Sequence, residues 1–191
     1  MLVEADIAPN VAYRLTVADF ELLAESGAFG DNERVELIEG DIIVMAPLHM
    51  PHATAHAELI VRVGIALREH QPELQVAITP SVVMSEHSMP MPDIAIAPRR
   101  LGQTGPAQRE DALLLIEVSH SSAKFDLEVK AALYARGGVP EYWVIDFAKG
   151  ELTQFRTPEP AGYREQRCQP LGEPLTALTI PNLTIDTAGL I

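Results

Sequence analysis

The sequence has few of the features that mark secreted, membrane or disulfide-bonded proteins. Its single cysteine, Cys168, excludes a disulfide within the chain and favours a reducing compartment. No apolar run approaches the length of a membrane span, and no basic segment followed by an apolar one opens the chain. We therefore expect a cytoplasmic protein with no membrane partner.

Basic residues are also scarce. Lys and Arg number 14 against 27 Asp and Glu, which gives a formal net charge of -13. Most proteins that bind nucleic acid carry a basic surface, so this balance disfavours tight, non-specific DNA binding by the monomer. Acidic residues can instead serve as ligands of a metal ion. The sequence also lacks a phosphate-binding glycine loop, a Gly-x-Ser-x-Gly elbow and a Cys-x-x-Cys pair.

A strand, a turn, a helix and a second strand are predicted between Asp111 and Asp146. Leu113 to Ile116 form an apolar run typical of a buried strand, and Glu117 ends that run. A βαβ unit of this kind places its two strands side by side and parallel. The crevice beyond the carboxyl ends of such strands is a common position for a functional site.

Lys130 is the unusual residue of the intervening helix, predicted at residues 124–136. At 100° per residue, Lys130 and Asp126 fall on the apolar side of the helix, which faces the sheet. Two interpretations stay open at this point. Lys130 either pairs with Asp126 one turn earlier and extends to solvent, or it reaches back to Glu117. The second interpretation would supply the partner that a buried carboxylate needs.

The other elements are predicted from periodicity and turn residues. Thr16 caps a short helix, and Glu39-Gly40-Asp41 forms the turn of a hairpin within residues 34–45. The pattern alone places Glu36 of this hairpin on the exposed face. The remaining predictions are a helix at 52–69, strands at 74–84 and 93–97, a polar loop at 99–110 and a meander built from 152–156 and 163–169. We expect one α/β (α+β) domain over residues 1–191, with a core at about 35–146 and C-terminal strands at 150–191.

Three histidines, His49, His52 and His56, lie near the start of the helix predicted at 52–69. Spacings of three and four residues can place metal ligands on one helical face. However, Pro51 follows shortly after His49, and no His-Glu-x-x-His pattern is present. Ordinary loop and first-turn histidines are therefore the favoured interpretation, with His52 as a polar group close to a site.

The arrangement of Pro92-Asp93 and Glu117 resembles the motif of the restriction-endonuclease-like nucleases. Asp93 opens one core strand and Glu117 ends the next, so the two carboxylates are able to share one cation. In those nucleases the predicted order of helix, three strands, helix and strand forms the core. Their motif continues with a spacer residue and a lysine, whereas Ser119 stands at that position here.

The sequence is more closely similar to one branch, the Uma-type restriction endonuclease family. In that branch Lys130, on the helix, would take the place of the motif lysine. His120 departs from the pattern, because proline or an acid is expected there. The similarity covers most of residues 14–146, and segment 138–146 is its most specific part. The matching segments are 35–41, 92–95, 116–118, 121–122, the trio Asp126, Lys130 and Tyr134, and 138–146.

The resemblance implies a DNA endonuclease that depends on Mg²⁺ or Mn²⁺ and acts as a homodimer. It also implies a restriction-endonuclease-like mixed β-sheet with an αβββαβ core. Asp93 and Glu117 would bind the metal ion, and Lys130 and Glu36 would complete the catalytic group. It thus moves Glu36 from the exposed face to the edge of the site. The residues expected around this group are His52, Asp126 and Tyr134.

Two other functions compete with this hypothesis. The net charge and the absence of lysine at position 119 favour a nuclease fold without catalysis, acting as a binding or assembly protein. The histidines leave open a metal hydrolase with another substrate. Metal-dependent cleavage, stable partner binding and retained zinc would distinguish the three.

Overall fold

The structure is a computed structural model that describes residues 12–30, 34–45, 50–100, 104–119 and 122–190, with the backbone alone for 50–52. Its helices are α1 (Val17–Glu25), α2 (Met50–His70) and α3 (residues 123–136). Its strands are β1 (Val35–Ile38), β2 (Asp41–Val44), β3 (Leu74–Ile78), β4 (Val82–Val83), β5 (Ile94–Pro98), β6 (Ala107–Gln108), β7 (Leu114–Ser119), β8 (Glu141–Asp146), β9 (Glu151–Glu159), β10 (Gly162–Pro170), β11 (Leu175–Thr176) and β12 (Thr184–Ile185). None of the helices in the described ranges is long and apolar enough to cross a membrane.

A six-stranded mixed sheet with the order β10-β9-β8-β7-β5-β3 forms the centre of the fold. Strands β7 and β8 are parallel, as the βαβ prediction requires, and the other neighbours are antiparallel. Apolar residues of α2 and of the β11–β12 segment cover one face of this sheet. Residues of α3 cover the other face. The predicted meander is confirmed, because β9 and β10 extend the sheet beyond β8.

The chain leaves this sheet after β3, which corrects the prediction of one strand over 74–84. Thr79 has a positive φ of 47°, and Pro80 follows it with no backbone N–H to donate to a ladder. Strand β4 therefore pairs in parallel with β6 in a separate two-stranded sheet. That pairing also gives part of the predicted loop at 99–110 regular structure, although residues 101–103 lie outside the described residues.

The predicted hairpin of β1 and β2 forms a second small sheet. Glu39 and Gly40 both have positive φ at its turn, a conformation for which glycine is suited. Strand β1 docks on the segment before β5, because the backbone groups of Leu37 and Met89 bond to each other in both directions. The prediction that Glu36 is exposed is wrong, since this docking buries its side chain completely.

Two helix predictions are confirmed with a difference in one of them. Thr16 caps α1, and its side chain accepts a hydrogen bond from the Asp19 N–H. Helix α3 occupies the predicted range, but its centre, Asp126–Lys130, is a π-helical turn between two α-helical ends. Residues 1–11, before α1, lie outside the described residues.

Candidate active site

Antiparallel pairing brings Asp93 next to Glu117. Ile94 of β5 pairs with Ile116 of β7. In this antiparallel register Asp93, just before Ile94, lies opposite Glu117, just after Ile116. Oδ2 of Asp93 accepts a hydrogen bond of 2.8 Å from the backbone N–H of Val118. Asp93 and Glu117 are both buried. The two carboxylates that the sequence placed at the ends of neighbouring strands are therefore adjacent.

Lys130 joins Glu117 to Glu36. Its Nζ lies 2.9 Å from Oε1 of each glutamate, and the lysine side chain is completely buried. This geometry decides between the two interpretations of Lys130, because the side chain reaches back to the sheet and does not extend to solvent. Two further donors fix the glutamates: Tyr134 Oη donates to Glu117 Oε1 at 3.0 Å, and the Met91 N–H donates to Glu36 Oε1 at 2.9 Å.

Asp126 is held at the start of the π turn by two serines. Ser119 Oγ and Ser122 Oγ donate to its Oδ2 at 2.5 and 2.8 Å. Ser119 occupies the position of the missing motif lysine, and its hydroxyl is thus used to orient an acid on α3. The carboxylate cluster, defined as Glu36, Asp93, Glu117 and Asp126, contains all the acids that the sequence analysis assigned to the site.

The sequence analysis did not assign two further residues to this site. Arg34, immediately before β1, lies 3.4 Å from Oδ1 of Asp93 through its Nη2. His56 of α2 is buried, and its Nε2 has no hydrogen-bond partner within the described part of the chain. Burial lowers the pKa of His56, with Asp93 opposing this shift and Arg34 adding to it, so the imidazole is neutral. His49, His120 and the side chain of His52 lie outside the described residues.

The charges of the cluster do not balance. Burial raises the pKa of Glu117 well above its ordinary value; Lys130 opposes this shift, and Asp93, Asp126 and Glu36 add to it. Burial also raises the pKa of Asp126, against the effects of Lys130, Ser119 and Ser122. Burial alone would lower the pKa of Lys130, but Glu117, Glu36 and Asp126 outweigh it and raise the pKa. A single charged ammonium thus faces several carboxylates, an arrangement that favours a further cation or proton.

The donor set fits a hard divalent cation that retains water. Oε2 of Glu36 and Oδ1 of Asp126 are buried without a hydrogen-bond partner among the described residues, so acceptor groups are in excess there. Over the described ranges, no three or more His, Cys, Asp and Glu side chains are grouped so as to hold a metal ion by themselves. Mg²⁺ is commonly bound by one or two carboxylates, with water and phosphate as the other ligands. Asp93 and Glu117 meet that requirement.

Two cavities lie away from these acids. One of about 520 Å³ runs along β3 and β5, and one of about 450 Å³ is bounded by Arg14, His87 and Arg136. No member of the carboxylate cluster lines either cavity.

Comparison with protein families gives one match over nearly the whole chain. The model of the Uma2 family, described as "Putative restriction endonuclease", matches residues 17–188. This range contains every residue of the carboxylate cluster together with Arg34, His56, Lys130 and Tyr134. No curated protein matches the chain.

A solved structure shares the fold. It is described as a putative nuclease belonging to DUF820 from Anabaena variabilis, and it superposes with a TM-score of 0.69 at 17% sequence identity. The superposition covers 92% of this chain and 97% of that chain. Likeness at this identity concerns the fold, and it confirms the predicted restriction-endonuclease-like architecture.

Proposed function

The chain belongs to the Uma2 family, described as "Putative restriction endonuclease", and from this premise we propose that it is a divalent-metal-dependent DNA endonuclease. The observation that carries the proposal is the bridge from Lys130 to Glu117 and Glu36, next to Asp93. A lysine beside two acids at the ends of adjacent strands is the arrangement that the family's motif requires. Its substrate would be the phosphodiester backbone of DNA.

Asp93 and Glu117 are the proposed ligands of Mg²⁺ or Mn²⁺. Their carboxylate oxygens are hard donors, and the excess of negative charge around Lys130 would be relieved by such an ion. When bound, the ion lowers the pKa of a coordinated water and stabilises negative charge on the phosphate.

The protein's own groups would prepare this site. Lys130 holds Glu117 and Glu36 at fixed positions and places a permanent positive charge beside the reacting phosphate. Tyr134 restricts the Glu117 carboxylate to one orientation through its hydroxyl. Asp126, fixed by Ser119 and Ser122, adds a further acceptor near the ligands. Hydrogen bonds of this kind reduce the reorganisation that catalysis would otherwise require.

The test combines calorimetry and cleavage. Mn²⁺ titration and cleavage of supercoiled plasmid would be measured for the wild type, Asp93→Asn, Glu117→Gln and the control Glu128→Gln, which alters an exposed acid of α3. We expect the first two variants to lose Mn²⁺ binding and cleavage, and the control to keep both. Cleavage that survives in both site variants would overturn the assignment.

A nuclease fold that binds a partner without catalysis is the second candidate. Its specific support is Ser119, which replaces the motif lysine and is engaged with Asp126. A wild type that binds neither Mn²⁺ nor Mg²⁺ and leaves plasmid intact, but copurifies with a stable partner, would favour it.

We also propose a homodimer, since two active sites allow both strands of a duplex to be cut. The exposed face of α2 supports it: Val61 and Ile65 are 54% and 60% exposed. With Val63 fully buried, these two residues lie on either side of the opposite helical face. A second copy, antiparallel about a twofold axis at the level of Val63, would place Val61 against Ile65. The same axis brings Glu58 to the level of Arg68.

A further inference from the structure

The two cations of the site, Lys130 and Arg34, differ in their accessibility to a substrate. Lys130 is completely enclosed, and its ammonium already bonds to two carboxylates. Its third N–H is enclosed with the rest of the side chain, so a phosphate at the surface does not reach it. Lys130 thus acts on the substrate through its charge and not through contact. Apart from the proposed metal ion, direct contact with the phosphate therefore falls to another group of the protein.

Arg34 is accessible at the same site. Its side chain is 31% exposed, while that of Asp93 beside it is 10% exposed. The distance of 3.4 Å to Asp93 is longer than the 2.7–2.9 Å typical of a strong charge-assisted hydrogen bond. A guanidinium carries five N–H donors, and this one contact uses at most one of them well. Asp93 is the acid that the guanidinium contacts among the described residues, and with respect to these Arg34 has donors left for a second anion.

The charge of the molecule makes such a group necessary. DNA approaching a chain of net charge -13 is repelled. A cation at the rim of the cluster offsets this repulsion at the point where the backbone must enter.

On the basis of the proposed function, we infer that Arg34 is the phosphate-binding residue of the site. Its guanidinium would donate to the two non-bridging oxygens of a backbone phosphate, and the planar pair of donors in arginine suits this contact better than the ammonium of lysine. The ligand class is a nucleic-acid phosphodiester. In the absence of that ligand, Arg34 rests against Oδ1 of Asp93.

The test measures DNA binding and its salt dependence. A short fluorescein-labelled duplex is titrated by anisotropy with Ca²⁺ as the divalent ion, and a gel verifies that it stays uncut. The variants are Arg34→Ala, Arg34→Lys and the control Arg167→Ala, which removes an exposed arginine of β10. We expect Arg34→Ala to weaken binding about tenfold and to reduce the slope of log K against log salt by about one. The affinity of Arg34→Lys for the duplex should lie between those of the wild type and Arg34→Ala, because lysine keeps the charge but lacks the paired donors of the guanidinium.

Two further measurements separate substrate binding from a structural role. Mn²⁺ binding by calorimetry and the thermal midpoint should stay close to wild type in Arg34→Ala. In cleavage assays KM should rise with little change in kcat, as expected when a contact made equally in the ground state and the transition state is lost.

The outcomes also separate this inference from the proposed function. If Arg34→Ala binds the duplex with the affinity and salt slope of Arg167→Ala, the inference is overturned even when the enzyme is active. If the wild type binds DNA through Arg34 but never cuts it, the proposed hydrolysis fails and the phosphate site stands. A wild type that does not bind the duplex at all contradicts both.

Discussion

At the scale of single residues, Lys130 determines whether the acids of the site can be buried together. Its ammonium is the hydrogen-bond donor that Glu36 and Glu117 share, and neither carboxylate is more than 3% exposed. Removing one member of a buried ion pair leaves the other without compensation, which costs more than the pair contributes as a whole. Lys130 therefore supports the fold as well as the proposed chemistry.

We expect Lys130→Met to lower the free energy of unfolding by about 3–5 kcal/mol, because two buried carboxylates lose their cation. Glu117→Gln should cost less, since Lys130 keeps Glu36. Urea unfolding monitored through the single tryptophan, Trp143, measures both. The control is Lys124→Met, which removes an exposed lysine from the same helix. Equal stability of Lys130→Met and Lys124→Met would show that the buried bridge does not hold the fold.

The loss in Lys130→Met should be smaller at pH 5 than at pH 8. The pKa of Glu117 is already raised by burial, and removal of the ammonium that opposes this shift raises it further. A group with a raised pKa binds more protons in the folded than in the unfolded state, so its contribution to stability decreases as the pH rises. Protonated carboxyls need no cation, and the variant should recover as the pH falls.

The residue scale also shows how far sequence reasoning reaches. The spacing placed Lys130 on the side of the helix that faces the sheet, because helical periodicity follows from local geometry, and the structure decided for the contact with Glu117. The burial of Glu36 could not be predicted from this pattern, because the sequence of a four-residue strand does not indicate which segment docks on it. Arg34 and His56 were missed for the same reason: Arg34 meets Asp93 across 59 positions in sequence. The resemblance to a family, and not the residue pattern, placed Glu36 at the edge of the site.

At the scale of elements, the π turn of α3 is what the helical pattern did not predict. An extra residue in one turn rotates the helix, and such turns occur often at functional sites. Here the turn runs from Asp126 to Lys130 and has one of these two site residues at each end. The carbonyl of Asp126 accepts from Tyr142 Oη at 3.1 Å, so a side chain of β8 also engages the turn. An amphipathic pattern predicts which residues face the core, but it does not indicate a turn that contains one extra residue.

Another element-scale feature is the anchoring of the C-terminal segment by Glu141. This carboxylate is fully buried at the start of β8, away from the carboxylate cluster. It accepts hydrogen bonds of 2.7–2.8 Å from Trp143 Nε1, from the backbone N–H groups of Leu178 and Thr179, and from Thr179 Oγ1. Those bonds tie the segment between β11 and β12 to the central sheet.

Glu141→Ala should lower the free energy of unfolding by about 2–4 kcal/mol, because several donors lose a charged acceptor. Hydrogen exchange at Leu178 and Thr179 should accelerate, and the emission of Trp143 should shift as its indole N–H loses its partner. Glu151→Ala, an exposed glutamate at the start of β9, serves as the control. Unchanged exchange at both amides would show that the segment is held by apolar packing alone.

At the scale of the whole molecule, the acidic charge and the proposed DNA substrate act against each other. A monomer with a net charge of -13 depends on local cations and metal ions to attract a polyanion. Two copies joined through α2 would bring two sites into one assembly, so that one duplex could contact both. Two weak contacts on a single ligand raise the overall affinity through effective concentration.

The exposed face of α2 gives this dimer a specific test. Val61→Glu should convert the wild-type dimer to a monomer in sedimentation velocity, because it would bury a carboxylate against Ile65. Arg68→Glu alone should weaken the dimer about tenfold by placing like charges near Glu58, once on each side of the axis. Combining it with Glu58→Arg should restore association, since the reversed pair is again complementary. Val129→Glu, at an exposed valine of α3, should leave the dimer intact. A monomeric wild type would refute the dimer itself, whereas a Val61→Glu variant that still dimerises would place the interface elsewhere.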